Sequence, residues 1–160
     1  MSLLLVDPPV AAGEATVRHL LGEGDEVRVL VRNKDHGGTW KAAGAHVAAG
    51  DPSDEDLVER ACQNVRTIVV FGTPGPALLT GARAAGVGRV ISVTASPIET
   101  VEDLEHVALV VGRRWWPRSG RSHEDVAVAI SAADDIVTVP HGPVHLGEAR
   151  GWRSLKLEPR

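Results

Sequence analysis

Tyrosine is absent from this chain of 160 residues, and cysteine, methionine and phenylalanine occur only once each. The absence of tyrosine excludes every mechanism that uses a phenol as an acid or a nucleophile. The single cysteine, Cys62, excludes an internal disulfide framework and an all-cysteine metal site, and we expect it to be a buried, inert thiol. Lysine is also scarce, with only three residues. Any chemistry must therefore use other side-chain types.

Long hydrophobic runs are missing as well. No apolar run approaches the roughly 18 residues of a membrane span, and residues 1–6 are too short for a signal peptide. We therefore expect a cytoplasmic protein that does not enter a membrane. The formal net charge of −4 argues against general nucleic-acid binding. The length predicts a single domain over residues 1–160, with an irregular tail over residues 143–160.

Short apolar segments alternate with segments of helical periodicity. Strands are predicted at residues 2–6, 26–32, 46–49, 67–71, 89–94 and 135–139. Helices are predicted at residues 11–22, 38–44, 53–61, 76–85, 101–112 and 122–133, with Ser53 as the cap of the third. This alternation predicts an α/β fold of the doubly wound, Rossmann type. Its parallel sheet would have about six strands in the order 3-2-1-4-5-6, between two helical layers.

Three segments carry a resemblance to a known family. They are EVRVLVRN at residues 26–33, AGAHVAAGDPSDEDLVERACQNVRTIVVFG at residues 43–72 and ARAAGVGRVISVTAS at residues 82–96. Together they resemble the atypical short-chain dehydrogenase/reductases, above all the NmrA-like, NAD(P)H-binding branch. The likeness extends over about the first 143 residues, so the chain resembles a C-terminally truncated member.

The phosphate-binding loop departs from the family pattern. The resemblance places the family's glycine-rich fingerprint between the first strand and the first helix, on residues 7–13, where only Gly13 remains, in a role of close helix–strand packing. Asp7 stands at the first glycine position, where a carboxylate would repel a pyrophosphate. Pro8 and Pro9 remove two N–H donors, and Val10 adds a β-branched side chain. We therefore predict that NAD or NADP binding is weak or lost.

The resemblance implies further cofactor contacts at the carboxyl ends of the strands. Arg32 would meet a 2′-phosphate with Asn33 beside it, Asp51 would lie near the adenine, and Gly72 and Thr73 would line the nicotinamide-ribose side. Each has a simpler interpretation: a solvated arginine, a helix cap and an ordinary strand-to-helix turn. In either case we expect a crevice for a small-molecule or nucleotide ligand at this edge.

Catalytic candidates are few. The tyrosine and lysine of the family's catalytic members have no counterpart, because residues 117–121 contain neither. The remaining candidates for acid/base chemistry are His141, Thr94 and Asp7. No metal-binding motif accompanies the histidines, so we expect no metal site.

A tryptophan pair between arginines is the most unusual local sequence. Arg113, Trp115, Trp116 and Arg118 are suited to a homodimer or protein-partner contact, since tryptophan and arginine are enriched at interface hot spots. The same cluster could instead form a wall of the ligand crevice or pack internally. Stacking on nucleic-acid bases is disfavoured by the net charge.

Three functions compete. The first is a redox-inactive NAD(P)-binding-type protein that acts by binding a ligand or a protein. The second is an NAD(P)H-dependent oxidoreductase with an altered phosphate loop. The third is a cofactor-independent enzyme, of cyclase or lyase type, that reuses the crevice with His141 or His145 and Asp7.

Overall fold

The computed structural model describes residues 2–94, 105–110, 120–135, 144–146 and 157–159. The strands are β1 (Ser2–Val6), β2 (Glu26–Val31), β3 (His46–Ala49), β4 (Thr67–Phe71), β5 (Arg89–Thr94), β6 (Glu105–Val110), β7 (Val144–Leu146) and β8 (Leu157–Pro159). The helices are α1 (Val10–Gly22), α2 (Gly37–Ala42), α3 (Glu55–Ala61), α4 (Pro76–Ala84) and α5 (Gly120–Asp135). A short 3₁₀ turn, Lys34–His36, precedes α2.

The described strands form one sheet in the order β3-β2-β1-β4-β5-β6-β7-β8. Every neighbouring pair is parallel except β7 and β8, which are antiparallel. The doubly wound Rossmann-type fold and the order of the first five strands are therefore confirmed. The order reverses between β1 and β4, and a reversal of this kind is where open α/β sheets bind their ligands.

The sixth strand differs from the prediction. Residues 105–110, expected to be helical, form β6 and pair with β5. Their sequence EHVALV ends in an unbroken apolar run, which periodicity alone cannot assign to a helix or a strand. The strand predicted at residues 135–139 begins on the last residue of α5, and its other residues lie outside the described part. The segment predicted to be irregular contains β7 and β8.

Helices cover both faces of the sheet and create two apolar layers. Along β1 the side chains alternate: Leu3 and Leu5 pack on the α1, α2 and α5 side, whereas Leu4 and Val6 pack on the α3 and α4 side. Leu3, Leu4 and Leu5 are fully buried, and each contributes about 1.5–3 kcal/mol. The two cores hold the carboxyl ends of β1, β2 and β4 at one edge.

The opposite, amino edge of the sheet is fixed by a polar network around Asp134. The buried Asp134 carboxylate forms an ion pair with Arg66 and accepts a hydrogen bond of 2.6 Å from the Thr67 hydroxyl. Arg89 donates to the carbonyl groups of Ala133 and Asp134 at 2.7 and 2.6 Å. Carbonyl groups in the last turn of a helix receive no hydrogen bond from within the helix. The bonds from Arg89 therefore satisfy them, and together with the Asp134 contacts they anchor α5 to β4 and β5.

Candidate functional site

The loop after β1 keeps the turn of a glycine loop without its first glycine. Asp7 has a left-handed backbone with φ of +44°, and its N–H donates to the carbonyl of Leu30 at 2.8 Å. Asparagine and aspartate are the non-glycine residues that best tolerate this region, although it still costs an L-residue about 1–2 kcal/mol. Asp7 therefore makes a left-handed turn that glycine would make more easily, and it adds a carboxylate at that turn.

The start of α1 retains backbone donors. Pro9 is the N-cap residue and makes no side-chain capping bond, and the first bond of the helix runs from the Gly13 N–H to the Pro9 carbonyl at 2.7 Å. The N–H groups of Val10, Ala11 and Ala12 precede that bond and so have no acceptor within the helix. Such donors, at the positive end of the helix dipole, are suited to an anion. The loss of two donors at the prolines therefore does not remove all phosphate-binding capacity.

Gly13 lies in a close contact. A Cβ atom at this position would lie 2.7 Å from Cζ3 of Trp40 and 2.9 Å from Cβ of Pro8. We expected a helix–strand contact, but the glycine instead admits the buried indole of α2 and the proline of the loop. The surviving glycine thus fixes α1 against α2 and sets the position of the loop.

Arg32 is held between two carboxylates. Its Nε donates to Oδ2 of Asp7 at 3.1 Å, and its Nη1 lies 3.5 Å from Oδ1 of Asp51. The Arg32 side chain is 63% exposed, so the contacts are solvated. Arg32 is therefore a solvated arginine paired with two carboxylates, which a phosphate would have to share.

Asp51 does not cap a helix. Its Oδ1 accepts the N–H of Ser53 at 2.9 Å, and Asp54 caps α3 by accepting the N–H of Leu57 at 3.2 Å. The predicted cap, Ser53, is thus one residue early, because Asp54 reaches the N–H three residues ahead. The hydrogen bonds from Ser53, followed by the charge of Arg32, lower the pKa of Asp51 below its ordinary value of 3.8. Asp51 therefore stays an anion beside Arg32 at neutral pH.

A cavity of about 400 Å³ opens at the carboxyl edge between β1, β2 and β4. Its apolar wall includes Val6, Val70 and Leu78, and Asp7 and Arg32 line it as well. This volume is at the lower end of the range for ligand sites, so the cavity suits one nucleoside rather than a whole dinucleotide. Polar groups at the mouth of an apolar cleft are the usual arrangement for orienting a ligand.

The loop after β4 completes the cavity. Gly72 has a φ of +131°, which requires glycine, and its N–H donates to the carbonyl of Val93 at 2.9 Å. Thr73, Gly75 and Pro76 line the cavity at the start of α4. Gly72 therefore shapes the turn, while Thr73 is the predicted residue that reaches the site.

Other predicted residues lie elsewhere. The Asn33 side chain accepts the N–H of Asp35 at 3.0 Å and so caps the 3₁₀ turn. Thr94 ends β5, which is separated from β1 by β4, and it does not line this cavity. His145 lies in β7, where its backbone pairs opposite Ala108 of β6. The remaining predicted residues lie outside the described residues: His141, Arg113, Trp115, Trp116 and Arg118.

The apolar wall of the cavity was not predicted. Val6 and Val70 were assigned only to strands, although their positions at or near strand ends were the available signal. Arg32 and its carboxylate partners were assigned separate roles, because the pairing depends on strand register.

Cys62 is buried and forms no disulfide among the described residues, so its expected burial is confirmed. Loss of hydration raises the pKa of its thiol to about 11. Because the thiolate is the reactive form, this pKa favours an inert thiol.

Within the described ranges, no group of three or more histidine, cysteine, aspartate or glutamate side chains could hold a metal ion. Among the same residues, no helix is both long and apolar enough to cross a membrane.

Solved structures share this fold. The chain superimposes on ChuY, an anaerobillin reductase from Escherichia coli O157:H7, with a TM-score of 0.64 and 16% identity over 94% of this chain and 99% of that one. A Citrobacter triphenylmethane reductase in complex with NADP(H) gives a TM-score of 0.62 and 15% identity over 90% and 69%. An NADPH-dependent quinone oxidoreductase from Escherichia coli gives 0.50 and 20% identity over 59% of this chain, which spans only 34% of that enzyme.

No curated protein matches the sequence. A family model described as NAD(P)H-binding matches residues 11–139, which is most of the chain. The NAD(P)H-binding family that the resemblance implied is thereby confirmed, and the chain belongs to this family.

Proposed function

We propose that the chain binds a nicotinamide dinucleotide weakly and acts as a binding protein without tyrosine-based redox turnover. The cavity carries this proposal. It lies at the reversal of strand order between β1 and β4, where the family's ligand belongs, and its size suits the adenosine end. The N–H groups at the start of α1 supply a place for the pyrophosphate.

The residues present fit the dinucleotide, but they bind its phosphates weakly. The side of the cavity formed by Asp7 places a carboxylate next to the expected pyrophosphate position, and Pro8 and Pro9 offer no N–H groups there. Loss of about 3–4 kcal/mol of phosphate interaction weakens binding more than 100-fold. We therefore expect dissociation constants above about 0.1 mM for both nicotinamide dinucleotides.

Titration calorimetry with NADH and NADPH tests this expectation. A micromolar dissociation constant for NADH or NADPH would contradict the proposed weak binding. Because Asp7→Gly removes the carboxylate and suits the left-handed backbone, we expect this variant to bind more tightly than the wild type.

Hydride transfer to a special class of acceptor is the second candidate function. A bound nicotinamide would supply the hydride. The similar structures include reductases for anaerobillin, triphenylmethane dyes and quinones. This chain has no phenol to protonate a developing alkoxide, and arginine does not donate a proton at neutral pH. A cationic dye takes up hydride without a proton, so such an acceptor suits the chain better than a simple ketone does.

Loss of NADPH or NADH absorbance with a cationic triphenylmethane dye, a quinone and a ketone separates these roles. Dinucleotide binding without turnover of any acceptor supports the binding role, whereas turnover of the dye alone supports the second candidate. Ketone reduction at several turnovers per second that persists in His141→Ala would contradict both. The cyclase or lyase alternative, which needs His141 or His145 beside Asp7, gains no support. His145 lies in β7, which β4, β5 and β6 separate from β1, and His141 lies outside the described residues.

A further inference from the structure

The pairing of Arg32 has a consequence for the choice of cofactor. Arg32 is the single cation among the described residues that line the cavity, and it contacts the carboxylates of Asp7 and Asp51. One positive and two negative formal charges leave this end of the cavity with a net charge of −1. The field that an incoming group meets here is therefore negative, despite the arginine.

A 2′-phosphate would have to share Arg32 with both carboxylates. Nicotinamide cofactors differ only in this phosphate, which an arginine commonly binds. Here Nε already donates to Asp7 at 3.1 Å, so the phosphate must either displace that carboxylate or sit beside it. In both arrangements the Asp7 carboxylate stays close to the dianionic 2′-phosphate. The carboxylate thus penalises the phosphorylated cofactor in either arrangement.

An unphosphorylated ribose, in contrast, can form a favourable hydrogen bond with Asp7. Its hydroxyl groups are donors, and an ionised carboxylate can only accept. Arg32 engages Oδ2 of Asp7, and Oδ1 has no hydrogen bond within the described residues. The Asp7 side chain is 49% exposed and lines the cavity, so this oxygen is accessible to a ribose hydroxyl.

We propose that Asp7, acting through Arg32 and directly on the ribose, makes the site selective for NAD(H) over NADP(H). This inference rests on the proposed function and specifies its ligand. It reverses the preference that Arg32 alone would imply. Asp7 is here a specificity-determining residue.

The test compares NADH and NADPH binding to the wild type, Asp7→Asn and Asp7→Gly by calorimetry at fixed salt. We expect the wild type to bind NADH about five- to tenfold more tightly than NADPH. Asp7→Asn keeps the shape of the side chain and removes its charge, so it should tighten NADPH binding about tenfold. It should change NADH binding less than threefold, because relief of the repulsion at the pyrophosphate is offset by loss of the ionised acceptor for the ribose hydroxyl. Adenosine 2′,5′-bisphosphate and AMP should show the same reversal, which places the effect at the adenosine end.

Two further variants control the charge argument. Asp35 is an exposed acidic residue in the turn after β2 that does not line the cavity, so Asp35→Asn should leave the NADH-to-NADPH ratio unchanged. In an Arg32→Ala background, Asp7→Asn should favour NADPH less than it does in the wild type, because the arginine that it releases for the phosphate is gone and only the direct repulsion is relieved. Thermal melting checks the fold of each variant. If Asp7→Asn does not fold, Asp7→Gly carries the test, since glycine accepts a φ of +44°.

The outcomes separate this inference from the function on which it rests. A wild type that prefers NADPH, or equal gains for both cofactors in Asp7→Asn, would overturn the selectivity and leave dinucleotide binding intact. Failure of the wild type and both Asp7 variants to bind either cofactor at millimolar concentration would overturn the two together.

Discussion

Gly13→Ala is the substitution whose effect on stability the structure predicts most directly. Alanine is the better helix former by about 1 kcal/mol, so propensity alone predicts stabilisation. The new methyl group, however, would lie 2.7 Å from Cζ3 of Trp40 and 2.9 Å from Cβ of Pro8. Carbon atoms pack at about 3.5–4.0 Å, so both neighbours, or the helix itself, must shift by more than about half an ångström.

The packing cost should exceed the gain in propensity. Trp40 is 2% exposed, so its indole has little space into which it can retreat. Overpacking of a dense core costs about 1–3 kcal/mol, and contacts below 3 Å with two different side chains favour the upper half of that range. Subtracting the propensity gain leaves a net loss of about 1–2 kcal/mol in the free energy of unfolding.

Gly22→Ala is a matched control at the other end of the same helix. A Cβ atom there meets nothing within 4 Å, so propensity acts alone and the variant should be stabilised by up to about 1 kcal/mol. Trp40→Leu supplies a second control, because the smaller side chain relieves the collision. In that background Gly13→Ala should cost less than in the wild type.

Urea denaturation followed by circular dichroism measures these differences, provided that unfolding is two-state. The reasoning requires opposite signs for Gly13→Ala and Gly22→Ala. Stabilisation by both would show that α1 is not packed tightly against Trp40. An unchanged cost of Gly13→Ala in the Trp40→Leu background would show that the indole is not the obstacle.

Two other predictions concern buried groups. Asp134→Ala should lower the free energy of unfolding, measured by urea denaturation, by about 3–5 kcal/mol, because Arg66 loses its buried partner. The control Asp56→Ala, at an exposed position, should change it by less than about 1 kcal/mol. Similar losses in the two variants would show that the network around Asp134 does not stabilise the fold. Native Cys62 should react with iodoacetamide at pH 8 at least about 100-fold more slowly than in urea, since its pKa of about 11 leaves little thiolate. Because that pKa lies above the unfolded value of 9.0, the stabilisation is complete below pH 9 and lost as the pH rises towards 11. Cys62→Ala should flatten this decline. The chain has no tyrosine and only three lysines, so few other groups can contribute to it. An equally steep decline in the variant would show that another group is responsible.

The first half of the fold could be predicted from local patterns. The segments SLLLV and TIVVF each consist of one hydroxyl residue followed by four apolar residues and are bounded by turn residues, so both faces had to be covered. The β6 segment could not be assigned in the same way. Its apolar run VALV follows residues whose spacing also fits a helix, and only pairing with β5 decides between the two.

The site was predictable as a location but not as a set of contacts. Asp7, Arg32 and Asp51 each follow a strand end, which placed them at the same edge. Their pairing depends on register: the ladder sets Val6 opposite Leu30 and Val31 opposite Ala49, so all three side chains come to neighbouring positions. A shift by one residue would turn them to the other face, and no local pattern fixes that shift.

The placement of α5 has a consequence for synthesis on the ribosome. Its residues Val126, Ala129, Ile130 and Ala133 belong to the same apolar cluster as Ile91 and Val93 of β5. The first five strands and four helices end at residue 94, whereas α5 ends at residue 135. At about 5–20 residues per second, the intervening 41 residues take about 2–8 s to be added. During that interval the nascent chain exposes an apolar strip beside α1, where a chaperone, or another unfinished copy, can bind.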